Sequence, residues 1–292
     1  MSPTPPLFVT GGTGTIGAHL LRLLAEQGAP VRALARRPQE GEALPGVEWV
    51  GGDLADRDSF VRHLDGCERL FLLSANSDAM VRLQKNAVRA ARDAGLLQVV
   101  KLSAFGASDH SRSLIGTWHW IVEQELRTSG LAWTILRPHS FMQNLLGQRP
   151  AILGEGVVHS PAGDGRVPLV DTRDVAEVAA RVLTTAGHGN RTYTLTGPEA
   201  ITHSEATAVL AEVLDRPLRF VAESPDDARR RMADDGAPPW LIAAQLAIAA
   251  YQQASGPTAV PTRTVEELLG RPARSFHDFA RDHAGDLLAT TA

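Results

Sequence analysis

Three glycines spaced three apart, Gly11, Gly14 and Gly17, could do the first recognisable chemistry in this chain. They form a Gly-x-x-Gly-x-x-Gly turn between the apolar run Leu7–Thr10 and an amphipathic stretch. Such glycines allow a tight turn, let backbone N–H groups approach a pyrophosphate and let a helix pack closely on a strand. Thr13, Thr15 and Ile16 complete the turn, and the helix N-terminus that follows adds the partial positive charge an anion needs. Dinucleotide sites usually place an acid about twenty residues further on, where it accepts from the ribose hydroxyls. Here that place holds Arg36 and Arg37, with no acid until Glu40. Guanidinium forks suit a 2′-phosphate, so the pair implies NADP(H) rather than NAD(H). The alternative is two arginines that face solvent. His119 and Glu123, four residues apart, share a helix face, where a carboxylate would raise the imidazole pKa and make a general acid. Alternatively, His119 stacks against Trp118 or Trp120, or contacts a cofactor ribose.

These residues need a scaffold, and the pattern supplies one. Strands are expected at Leu7–Thr10, Val31–Ala35, Val47–Val50, Leu70–Leu73, Val99–Ser103 and Trp133–Leu136, with helices between them from about Thr15 to Gln27, near Asp58, through Val81–Ala94 and from about Leu114 to Thr128. The alternation predicts an α/β fold: a doubly wound parallel sheet with helices on both faces. Ser74, Ala75 and Asn76 follow a buried strand and so fall at the carboxyl edge of the sheet, where ligands bind. Gly154–Val170 reads as a hairpin or loop, Asp171–Thr185 as a helix and Arg191–Thr196 as a strand. Beyond them the chain reads as mostly helical, with Thr202 or Ser204 as a cap, helices at Asp226–Asp235 and Trp240–Ala254, and a flexible loop at Gly256–Pro261. The expected division is residues 1–152 and 171–198 as the dinucleotide-binding domain, and 153–170 and 199–292 as a small, mostly helical C-terminal substrate lobe.

Composition narrows the function. At 292 residues, 43% hydrophobic and 21% charged, the chain is enzyme-sized and globular. A net charge of −4 lacks the basic excess of a nucleic-acid-binding surface. The single Cys67 excludes an internal disulfide and fits a reducing compartment. Met1–Pro6 leads straight into the first strand without room for a signal peptide, and Trp240–Tyr251 is too short to span a bilayer. A cytoplasmic protein that acts on neither membranes nor nucleic acid is expected. The histidines show no metal-ligand spacing, and Gly-x-Ser-x-Gly is absent. Arg229–Arg231, among acids, reads as a solvated helix face. The apolar Trp240–Ala250 stretch suits a lobe core, a roof over a hydrophobic substrate, or a homodimer contact.

Thr10-Gly-Gly-Thr-Gly-Thr-Ile-Gly17, Gly52-Asp-Leu54, Ser129-Gly-Leu-Ala-Trp-Thr-Ile-Leu-Arg-Pro138 and Tyr193-Thr-Leu-Thr-Gly-Pro-Glu199 together resemble the NmrA-like group of atypical short-chain dehydrogenase/reductases. The resemblance runs from residue 7 to about 200. It implies a Rossmann domain with a discontinuous substrate lobe, and a function among NADPH-dependent quinone and isoflavone-type reductases or dinucleotide-binding regulators. It implies that Asp53 and Leu54 lie beside the adenine, although Asp53 could equally cap a helix. Ser103 would then face the nicotinamide ribose and donate to a substrate carbonyl, or else bond locally. Pro138, Ser140 and Phe141 would line the nicotinamide, with Asn144 nearby. One departure stands out. Ordinary members of the superfamily carry Tyr-x-x-x-Lys on the helix before strand six, where the lysine lowers the tyrosine pKa. Setting the family's helical glutamate on Glu123 puts Ile115 and His119 in those places, and the two tyrosines, Tyr193 and Tyr251, lie elsewhere.

The leading expectation is an NADPH-dependent reductase of a hydrophobic quinone, enone or aromatic carbonyl compound. Such electrophiles delocalise the charge that hydride addition creates, so they need less help from a protein acid. The rival expectations are an NADP(H) sensor acting through a protein partner, and a non-redox isomerase, dehydratase or cyclase on the same fold.

Overall fold

A computed structural model describes residues 4–289; Met1–Pro3, part of the stretch read as too short for a signal peptide, lie outside the described residues. Packing divides the chain into two units. The first holds residues 4–111, 115–138 and 173–194, and the second 112–114, 139–172 and 195–289.

The first unit is a parallel sheet built from short apolar strands. β1 (Leu7–Thr10) leads into α1 (Thr15–Glu26), then β2 (Val31–Ala35), β3 (Val47–Gly51), α2 (Arg57–Val61), β4 (Arg69–Leu72), α3 (Met80–Asp93), β5 (Gln98–Leu102), α4 (Leu114–Arg127) and β6 (Ala132–Pro138). The chain next leaves for α5 (Arg149–Gly154) and β7 (Val157–Ser160), and returns through α6 (Thr172–Thr184) to β8 (Arg191–Leu195). The strand order is β3-β2-β1-β4-β5-β6-β8, and β1 to β6 pair in parallel. The order reverses between β1 and β4, the switch point at which an open α/β sheet binds ligands. Central strands covered on both faces read as continuous apolar runs, as in the fully buried β5. One face packs Phe8, Leu70, Leu72 and Val99 against Phe60, Ala87, Ala91 and Leu126.

The second unit adds α7 (His203–Val213), β9 (Arg219–Ala222), α8 (Pro225–Asp234), α9 (Pro239–Ala254), α10 (Thr264–Leu269), α11 (Phe276–Asp282) and α12 (Ala284–Leu288). Thr202 closes a capping box on α7 with Glu205, and Ser275 does the same on α11 with Asp278.

Two expectations are corrected here. Gly154–Val170 holds no hairpin: β7 pairs in parallel with the distant β9, from Val157 opposite Arg219 to Ser160 opposite Ala222, and β9 went unread within the helical tail. Residues 139–152, expected with the dinucleotide-binding part, pack in the second unit instead. There Met142, Leu145 and Ile152 share a core with Val158, Leu169, Leu210 and Phe279. Apolar side chains on that short stretch find buried partners in this second core. Among the described residues no helix is long and apolar enough to cross a membrane.

Candidate functional site

The glycine turn is set by what its glycines lack. Gly11 has φ +72°, and a Cβ there would stand 2.7 Å from Leu73 Cγ. A Cβ on Gly17 would stand 2.0 Å from the Gly11 carbonyl oxygen, so α1 can approach the turn only without one. Gly14 differs, since its Cβ would meet nothing nearer than 3.5 Å. That side of the turn is open. Gly14 is also the N-cap of α1, with no side-chain cap and no acid in the first turn. The N–H groups around Thr13, Thr15 and Ile16 are thus left for an anion. Thr10 locks the turn to β4: its hydroxyl donates to Leu73 O at 2.8 Å and accepts from Leu73 N at 2.9 Å.

Arg36 and Arg37 are both exposed at the end of β2. Arg37 pairs with Glu40 at 2.8 Å, whereas Arg36 makes no ion pair among the described residues. Asp53 keeps its backbone N–H on Ser59 Oγ at 2.9 Å and its Oδ1 on Ala55 N at 2.9 Å. The cap of α2 is Asp56, not Asp53. Leu54 is buried, and its carbonyl accepts from Asn86 at 2.9 Å. Ser74, Ala75 and Asn76 follow the end of β4, and buried Gln84 donates to Ser74 Oγ at 3.0 Å. These features suit a dinucleotide: an open glycine turn, an uncapped helix end and a guanidinium with no ion pair among the described residues.

Further along the same sheet edge lies a buried polar cluster. Lys101 on β5 is fully buried, and its Nζ meets His119 Nδ1 on α4 at 2.8 Å and Leu102 O at 3.1 Å. Glu123, one turn beyond His119, is also fully buried; it accepts from Ser103 Oγ at 2.5 Å and from Arg137 Nε and Nη2 at 2.9 and 2.5 Å. This corrects two expectations. Glu123 does not touch His119, because its four lone-pair positions are drawn to the Arg137 fork and to Ser103. The imidazole pKa is pushed well below its usual value, by burial first and then by Lys101 and Arg137. Ser103, read either as a donor to a substrate carbonyl or as bonded to local backbone, directs its hydrogen at the Glu123 side chain instead. Burial also strips the Lys101 ammonium of water; Glu123 opposes the shift and Arg137 adds to it, leaving a pKa of about 7.

Sequence reading missed Lys101 and Arg137. One signal was available: a lysine inside Gln98-Val-Val-Lys-Leu102, where a buried central strand should hold none.

Pro138 ends β6, and its carbonyl accepts from Phe105 N at 2.8 Å. Ser140, Phe141 and Asn144 belong to the second unit. Ser140 Oγ accepts from Gln252 on α9 at 2.8 Å, Phe141 bridges to Val170, and Asn144 N donates to Phe141 O at 3.2 Å. His139 beside them is pushed down to about 4, mainly by burial.

The strand order, switch point and glycine cradle define a dinucleotide-binding protein of the atypical short-chain dehydrogenase/reductase kind. The NAD(P)H-binding family matches residues 11–186, and the chain belongs to that family. It is 41% identical over 280 residues to the (4-alkanoyl-5-oxo-2,5-dihydrofuran-3-yl)methyl phosphate reductase of Streptomyces griseus subsp. griseus, covering 95% of this chain and 98% of that protein. It is 36% identical over 280 residues to an NAD(P)H azoreductase of Xenophilus azovorans, with the same coverage. Among solved structures it is similar to the NADPH-dependent quinone oxidoreductase QOR2 of Escherichia coli complexed with NADPH, with a TM-score of 0.86, 26% identity and coverage of 94% and 99%.

Proposed function

We propose that the chain is an NADPH-dependent reductase of a small hydrophobic acceptor whose reduced form delocalises charge: a quinone, an enone, or an aromatic carbonyl compound. The observation that carries the cofactor is Arg36, exposed and unpaired at the end of β2, beside an uncapped α1 whose Gly14 is open. The arginine suits the 2′-phosphate, the α1 N-terminus the pyrophosphate, and Asp53 with Leu54 the adenine. Bound there, NADPH supplies the hydride.

Ile115 and His119 stand where Tyr-x-x-x-Lys would be, and Ser103 has its hydrogen on Glu123. The site therefore has no phenol to protonate a simple ketone. An acceptor whose oxyanion is already stabilised by conjugation needs less of that help. Relatives named for quinone and unsaturated-lactone substrates support the same class, and one named an azoreductase supports a conjugated acceptor more broadly.

Stopped-flow loss of NADPH absorbance against a panel of quinones, conjugated enones and azo dyes tests the reading. Turnover with at least one acceptor and a preference for NADPH over NADH is expected. Tight NADPH binding with no oxidation across the panel would favour the cofactor-sensing alternative.

A further inference from the structure

A buried lysine hydrogen-bonded to a buried histidine, at the edge of a sheet that holds a dinucleotide cradle, is costly to maintain. Nothing in the packing of β5 requires it, since its register partners are apolar: Leu72 on β4 and Ile135 on β6. The charged and titratable groups that face Lys101 are His119 and Glu123 from α4 and Arg137 from β6. Glu123 is occupied by Arg137 and Ser103, so among the described residues His119 is the one side chain that hydrogen-bonds to Lys101.

The geometry fixes a tautomer. A protonated lysine has no acceptor to offer, so His119 Nδ1 must accept from it and the ring proton must sit on Nε2. Among the described residues Nε2 makes no hydrogen bond, and it is not one of the fully enclosed polar atoms left without a partner.

We propose that Lys101 and His119 form a proton relay that stands in for the missing tyrosine: His119 Nε2 passes its proton to the oxyanion left by hydride addition, while Nδ1 takes a proton from Lys101 Nζ. The inference rests on the reductase reading above. The balance closes within the two residues and the substrate. One N–H bond breaks at Nε2 as an O–H bond forms on the acceptor. A second N–H bond breaks at Nζ as one forms at Nδ1. The histidine stays neutral throughout, which removes the objection that its own pKa is too low for a general acid. The lysine ends neutral, a state that burial already brings within reach near neutral pH. Reloading reverses the path: Nε2 takes a proton from solvent and Nδ1 returns one to Lys101, with no ring flip. His119 touches the reacting atoms, and Lys101 acts through it.

Single-turnover rates of quinone reduction, measured from about pH 6 to about pH 9 in H2O and D2O, test the relay in wild type, Lys101→Met and His119→Gln. The wild-type rate should fall as pH rises through about 7, with a solvent isotope effect. Both variants should lose the pH dependence and the isotope effect and slow on the order of 100-fold, with NADPH affinity retained. Lys101→Met keeping the wild-type profile and isotope effect would overturn the relay while leaving the reductase intact. Nitrogen NMR of 15N-histidine-labelled protein without acceptor gives a readout independent of turnover. His119 protonated on Nε2 is expected, and an Nδ1–H tautomer would overturn the proposal even if a variant failed to fold. No oxidation of NADPH by any acceptor would remove the reductase reading and the transfer with it; the tautomer would then report only on the hydrogen bond.

Discussion

At the scale of single residues, the two arginines of β2 should separate. Arg36 faces solvent unpaired and Arg37 is engaged by Glu40. A charge-assisted bond to a phosphate contributes about 1.5–3 kcal/mol, or roughly 10- to 100-fold in affinity. Calorimetry should show Arg36→Ala weakening NADPH by about that factor with NADH unchanged, and Arg37→Ala doing less. Glu123→Gln should be costly in a different currency. It leaves the partly exposed Arg137 guanidinium against a neutral amide, and since solvent reaches that charge the loss should fall below the roughly 3–5 kcal/mol of a fully buried broken pair. Urea unfolding should report that smaller loss. Lys101 also gives stability a pH dependence. Its pKa is lowered on folding to about 7, so between that value and its ordinary range the unfolded chain holds more protons than the native one. Stability relative to Lys101→Met should therefore rise as pH climbs through that window, and the penalty should be full below it. Denaturant titrations of both proteins at several pH values would show the slope.

At the scale of elements, what was legible in the sequence was what is local. The Gly11, Gly14 and Gly17 turn and the helices that follow the strands are written within a few neighbouring residues and read correctly, and of Thr202 and Ser204, both readable as a cap, Thr202 is the one that caps α7. The Lys101–His119 contact joins a strand to a helix across a loop, and the β7–β9 ladder joins segments far apart in the chain. Neither leaves a periodic signature. His119 and Glu123 share a face as their spacing says, but which side chains cross to meet them was decided by β5 and β6. Gly17→Ala would drive a methyl into the Gly11 carbonyl, so α1 must draw back; NADPH binding should be lost while circular dichroism remains near native. Thr202→Ala removes the side-chain half of the α7 capping box and should cost about 1 kcal/mol in urea unfolding, with NADPH binding unaltered.

At the scale of the whole molecule, the family match spans residues 11–186, while the two reductase relatives align over 95% of the chain. A ligand that binds only the native state raises stability by mass action, about 2.7 kcal/mol at a hundredfold excess over its Kd. Thermal melts should rise with NADPH, and rise less with NADH at equal concentration. The β7–β9 pairing bears on how such a chain can be recombined with its relatives. Apart from residues 112–114, the second unit is sewn from two distant stretches, 139–172 and 195–289, that share a core and a ladder of backbone bonds. A chimera that exchanges only the C-terminal stretch would give β7 a foreign partner and Ile152 a foreign core. A chimera should therefore fold when these stretches travel as one cassette, and a single crossover near residue 195 should give insoluble protein.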